Sequence, residues 1–171
     1  LILIMVFLTG FLTGCELLYG VNNFILPNDE DFINLVEELQ SPEQVCEYME
    51  DNFTYKPLAL YNLSPYELYQ MKEGDCNDFS TFIVFILNYH FYETYQIVIY
   101  YKNENPFSGH SIAVFREYDK FNFIDNWEYC KIEAEEFREI VEYDCWLRNK
   151  IWSKYIVYNY GLDIIEEIKN F

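Results

Sequence analysis

Residues 74–80 read Gly-Asp-Cys-Asn-Asp-Phe-Ser and place one cysteine, Cys76, where a polar turn runs into a long apolar segment. Gly109-His110 puts a histidine 34 residues later, and Phe123-Ile124-Asp125 puts a carboxylate 15 residues beyond that histidine. A thiol nucleophile needs these three groups: a thiolate, a base to take its proton, and a third group to orient the base. The chemistry such a set performs is attack on a carbonyl carbon with a covalent thioester intermediate.

The local sequence has terms for and against a reactive thiol. Asp75 is a plausible N-cap for a helix over about 76–90, so Cys76 falls in its first turn. Unpaired N–H groups and the helix dipole there favour a thiolate. Asp75 and Asp78 oppose it if ionised and close. An imidazolium at His110 is then needed to tip the balance. The Cys76 N–H is one candidate donor to an oxyanion, with Tyr55 or Asn62 as candidates for a second. Each group also has a structural reading: Cys76 as an ordinary helix-start cysteine, His110 as a hydrogen-bonded strand residue, Asp125 as the first residue of a turn. The joint spacing favours the catalytic reading. His90, at a helix end, reads as structural.

These groups need elements to hold them. Asn28 begins a helix over about 29–40 with Phe32, Leu35, Val36 and Leu39 as its apolar face. Ser41-Pro42-Glu43-Gln44 and Ser64-Pro65-Tyr66-Glu67 are capping boxes, opening helices over roughly 42–52 and to about Met71. Thr94–Tyr101 reads as a strand. His110–Tyr118 and Phe121–Asp125 read as an antiparallel hairpin turning at Asp119-Lys120. From about Lys131, Ala134, Phe137, Ile140 and Val141 follow a helical period, with further helix-like stretches around 146–158 and 162–170. Helices, then a small sheet, then helices define an α+β class.

With 171 residues, 51% of them hydrophobic, the chain can bury one core of ordinary size. A net charge of −18 argues against a nucleic-acid partner and against electrostatic attachment to an anionic bilayer. The acidic surface reads as a solubility feature, ahead of a preference for basic substrates. Of the remaining cysteines, Cys46 reads as a core residue, and Cys130–Cys145 is one candidate disulfide. No Cys-x-x-Cys or His-x-x-x-His spacing supports zinc, and no calcium-loop spacing stands among the acidic clusters, so neither a metal nor a cofactor is expected.

Residues 1–14 carry no charge and form an apolar run shorter than a membrane span. They suit the apolar region of a signal peptide. Leu12-Thr13-Gly14-Cys15 resembles the bacterial lipobox, which implies cleavage before Cys15 and a diacylglycerol on its sulfur. Residues 15–28 are then a tether, and 29–171 the domain, outside the cytoplasm and held to the membrane by lipid.

Together the motifs resemble the transglutaminase-like superfamily, which shares the papain-type core. The nucleophile motif Gly-x-Cys-x-Asp-x-Ser is matched by Gly74, Cys76, Asp78 and Ser80. Gly109-His110 before a strand matches the histidine motif, and Phe123-Ile124-Asp125 the aspartate motif. Tyr55 fits the segment that precedes the nucleophile. The resemblance covers roughly residues 42–130, leaving 131–171 as a helical extension. It implies Cys76 as nucleophile, His110 as base and Asp125 as orienting acid. The catalytic cysteine would start a helix packed on a small antiparallel sheet that carries the other two. Ile112 stands where the family often has an aromatic residue, and Asn126 where it often has proline. The implied activity is acyl transfer on peptide or protein amides, by hydrolysis as a thiol protease or amidase, or by transamidation. The alternative is an inactive transglutaminase-like domain that serves as a surface binding or adaptor lipoprotein.

Overall fold

The computed structural model describes residues 26–57, 62–102, 104 and 109–170. The expected signal segment, Cys15 and most of the tether lie outside these residues.

Four helices precede the main sheet. They are α1 (Glu30–Glu38), α2 (Pro42–Asn52), α3 (Pro65–Met71) and α4 (Cys76–Tyr89). Asp29, rather than Asn28, caps α1: its carboxylate accepts from the Phe32 N–H at 3.1 Å and from the Tyr66 hydroxyl at 2.8 Å. Both expected capping boxes are present, at Ser41 with Gln44 and at Ser64 with Glu67. Helix α4 is apolar nearly all round, with every residue from Phe79 to Leu87 buried. A helix of that composition is stable only as the centre of a core. Each fully buried large side chain such as Phe79 or Phe82 contributes about 1.5–3 kcal/mol, so the position of Cys76 at its head is firmly fixed.

Two short strands, β1 (Thr54–Tyr55) and β2 (Glu73–Gly74), pair in parallel just before α4. The main sheet holds β3 (Thr94–Tyr101), β4 (Gly109–Glu117), β5 (Lys120–Asp125), β6 (Glu128–Ala134), β7 (Trp152–Asn159) and β8 (Ile164–Lys169). Their spatial order is β6-β5-β4-β3-β7-β8, and every neighbouring pair is antiparallel. The β4–β5 hairpin turns at Tyr118 and Asp119, both at positive φ, so Glu117 pairs with Lys120. Strand parity then separates two layers. Ala113, Phe115 and Ile124 face α4 and the N-terminal helices. Ile112, Val114, Phe121 and Phe123 face the fifth helix, α5 (Phe137–Leu147), through Ile140, Val141 and Cys145.

The C-terminal third departs from the expected helices. The helix starts only at Phe137, because Ala134 closes β6. The stretches around 146–158 and 162–170 contain β7 and β8 instead. Tyr155-Ile156-Val157-Tyr158 is buried on both faces of the sheet, one face in each hydrophobic cluster. Such a continuous apolar run has no period to distinguish strand from helix. The sheet is therefore six-stranded rather than small. The expected α+β class holds as a mixed fold of five helices and a mainly antiparallel sheet among the described residues. No described helix is long and apolar enough to cross a membrane.

Candidate active site

Asp75 caps α4, with its side chain accepting from the Asn77 N–H at 2.9 Å, and Asp78 reaches back to the Asp75 N–H at 2.9 Å. Cys76 is thus the first helical residue, where backbone donors lack intrahelical acceptors. Asp78 also accepts from the Leu63 N–H at 2.6 Å and is 1% exposed. Burial pushes its carboxyl up to about 6, against those two hydrogen bonds. Asp78 is therefore a brace that ties the segment before α3 to the head of α4. Gly74 has a steric role: a Cβ there would stand 2.7 Å from Leu68 Cδ1 and 3.0 Å from Asp78 Cβ.

A polar layer fixes the first turn of α4 to the sheet. The Ser80 and Ser111 hydroxyls are 2.8 Å apart, and the Gln96 amide donates to both, at 2.7 and 2.9 Å. All three residues are buried. The motif serine, Ser80, thereby joins helix to strand.

Histidine and aspartate meet across the hairpin. Ala113 pairs with Ile124, so Asp125 lies on the strand neighbouring His110 and on the same face. Diagonal neighbours on one face are within reach of such side chains. His110 Nε2 lies 2.8 Å from Asp125 Oδ1, with both side chains largely buried. Cys76 lies near enough to the imidazole to favour its charged form. Burial opposes charge on His110, but the hydrogen bonds and charges of Asp125 and Cys76 outweigh it and push the imidazole up to about 9. Asp125 is held below the ordinary carboxylate range: burial opposes this, and His110 and Arg148 overcome it.

Of the candidate oxyanion donors, Tyr55 is brought to the thiol and Asn62 is not placed there by any contact. Pairing of Tyr55 with Gly74 and the Lys56 N–H bond to the Gly74 carbonyl at 2.8 Å set the β1 strand beside the α4 head. Cys76 lies near enough to the Tyr55 hydroxyl to raise it, and the Tyr55 ring packs edge-on to Phe79 at 6.0 Å. Burial, then the nearby Cys76, pushes the phenol up to about 12, so it stays a donor at neutral pH.

The spacing argument missed two residues. Arg148, the C-cap of α5, contacts Asp125 Oδ2 with Nη2, which also lies 2.6 Å from His110 Nε2. Its Nε donates to Asp144 Oδ1 at 3.0 Å, and Asp144 is fully buried. The i,i+4 spacing of an acid and an arginine at a helix end was visible in the sequence. Its relation to Asp125 was not, because α5 docks only through the sheet face that strand parity assigns. Polar atoms of His110, Asp125 and Asp144 lie within 4.8 Å of one another. The Arg148 guanidinium already supplies positive charge to both carboxylates. A cleft of about 420 Å³ opens beside this group, lined by Asp125, Asn126, Trp127, Glu128, Leu147 and Arg148.

Cys130 and Cys145 are free thiols, not the disulfide considered from sequence. Cys130 lies on β6 and Cys145 on α5 beneath the sheet, each serving its own element. His90 caps the end of α4 and bonds the Val36 carbonyl at 2.7 Å, far from this chemistry in sequence and role.

No family model and no curated protein matches the chain. Among solved structures, it is similar to Legionella pneumophila LapG in three forms. The calcium-bound form has a TM-score of 0.44 at 20% identity, over 57% of this chain and 63% of that one. The EGTA-treated form has a TM-score of 0.48 at 16% identity, over 74% and 72%. A third has a TM-score of 0.46 at 15% identity, over 77% and 76%. The chain thus spans less than two thirds of the length of the calcium-bound form.

Proposed function

We propose that this domain is a transglutaminase-like thiol enzyme that performs acyl transfer on peptide or protein amides. The observation that supports it most is the His110–Asp125 pair at 2.8 Å, influenced electrostatically by Cys76 at the head of a buried helix. In this reading Cys76 has already given its proton to His110, and the thiolate attacks the amide carbonyl. The Tyr55 hydroxyl and the Cys76 N–H donate to the oxyanion. The C–N bond then breaks, His110 gives its proton to the leaving amine, and a thioester remains. Water or a second amine, deprotonated by His110, attacks the thioester, and the C–S bond breaks to restore the thiolate. Water gives hydrolysis and an amine gives transamidation. The lipobox-like motif supports a further part of the reading, that Cys15 carries a lipid anchor outside the cytoplasm. The mass of membrane-extracted protein reads that modification, and an unmodified Cys15 removes this part.

The test of the chemistry is the pH dependence of Cys76 alkylation by iodoacetamide, followed on its own peptide, beside His110→Ala. A thiolate that titrates well below the free-cysteine value of about 8.5, and returns toward it in the variant, supports the enzyme. An ordinary titration that ignores the substitution favours an inactive binding domain.

A further inference from the structure

The charged groups around His110 are more than a triad requires. From α4 comes Cys76, from β1 Tyr55, from β5 Asp125, from β6 Cys130, from β3 Tyr101, and from α5 Asp144, Cys145 and Arg148. The charges that decide the balance are Asp125, Asp144, Arg148 and His110 itself.

Arg148 and His110 share one carboxylate. Arg148 Nη2 takes Asp125 Oδ2 and His110 Nε2 takes Oδ1, while the same Nη2 stands 2.6 Å from Nε2. When Nε2 carries its proton it donates to Asp125, and the approach of Arg148 is then donor against donor. When Nε2 is bare it can accept from Arg148. The guanidinium therefore offers the neutral imidazole a hydrogen bond and opposes the imidazolium by charge. It cannot drift far, because Asp144 grips its Nε from a fully buried position. Among the described residues, Asp144 Oδ2 is buried without a hydrogen-bond partner, and Oδ1 accepts from Arg148.

We infer that Arg148, anchored by Asp144, is a positioning residue that holds Asp125 for His110 and sets the pH at which the imidazolium is lost. This deepens the proposed acyl-transfer reading and rests on it. Two cations on one carboxylate weaken each other, so removing Arg148 leaves the whole charge of Asp125 to His110. At 3–4 Å and an effective dielectric constant near 20, such a neighbour acts with several kcal/mol before screening. The Arg148 side chain is 30% exposed, which reduces the effect to about one pH unit.

The experiment is an NMR titration of the imidazole Cε1–H signals. The chain has two histidines, and His90→Gln assigns the His110 signal. Arg148→Met is expected to raise the His110 midpoint by about one unit, and Arg148→Lys to keep it near the wild-type value. Arg148→Gln replaces the Met variant if that one does not fold. A midpoint that stays put or falls in the uncharged variants overturns the inference, since a residue that merely closes α5 would not raise it. Failure of the underlying reading looks different: the wild-type His110 would then titrate near 6.5, and alkylation of Cys76 would ignore His110→Ala.

Discussion

Asp125→Asn tests the electrostatic core of the site with almost no change of shape. The wild-type imidazole is held up to about 9 chiefly by the 2.8 Å bond to Asp125 against the cost of burial. The amide removes the carboxylate charge and leaves both the burial and the nearby Arg148, which each disfavour the imidazolium. Cys76 still favours the imidazolium, so the His110 midpoint is expected to fall from about 9 toward 6.5, by up to about 2.5 units or roughly 3.4 kcal/mol. If that stabilisation is carried into the transition state, amide turnover falls by up to about 300-fold. Stability carries the same signature. A histidine whose folded pKa is raised adds stability that is complete below its unfolded value near 6.5 and is lost as pH rises through about 9. Wild-type stability should therefore decline between pH 6.5 and 9 through this group, and Asp125→Asn should flatten that part of the curve. The imidazole titration by NMR, denaturant unfolding across pH, and turnover of a peptide amide give three independent readings. An Asn variant that keeps its imidazole charged above pH 8, or loses less than tenfold in turnover while folded, refutes the reasoning.

Two further substitutions probe the frame of the site. Tyr55→Phe removes a hydroxyl at the thiol; turnover should drop about 10- to 100-fold while the His110 titration holds, and unchanged turnover would remove Tyr55 from the oxyanion site. Gly74→Ala places a methyl 2.7 Å from Leu68 Cδ1 and 3.0 Å from Asp78 Cβ. It should cost about 1–3 kcal/mol in denaturant unfolding and slow Cys76 alkylation by disturbing the α4 head, whereas an unchanged midpoint would mean the brace yields freely.

Local signals in the sequence carried the N-terminal half because its structure is locally encoded. Ser41, Ser64 and Asp75 cap helices with their own side chains, and the apolar run from Phe79 marks a helix that must be buried. Cys76, His110 and Asp125 were legible for the same reason: a helix start and a hairpin each place a side chain by short-range rules. Gly74 was legible as a motif position, but its reason, the approach of Leu68 and Asp78, is tertiary. The C-terminal third misled because Tyr155–Tyr158 is apolar without a period, and its partner Ile97–Val98 lies far back in the chain. No short-range pattern can report a strand whose pairing is set by docking against β3.

What the sequence determined by itself is the inventory: a thiol at a helix head, an imidazole and a carboxylate on a hairpin, and the caps that begin α2, α3 and α4. What only the tertiary structure decided is the electrostatic setting of that inventory. Strand parity turned His110 and Asp125 toward the α5 layer, and the end of α5 brought Arg148 and the buried Asp144 to the same carboxylate. Charge in a low-dielectric interior depends on distances between residues remote in the chain, and those distances exist only once the layers are packed.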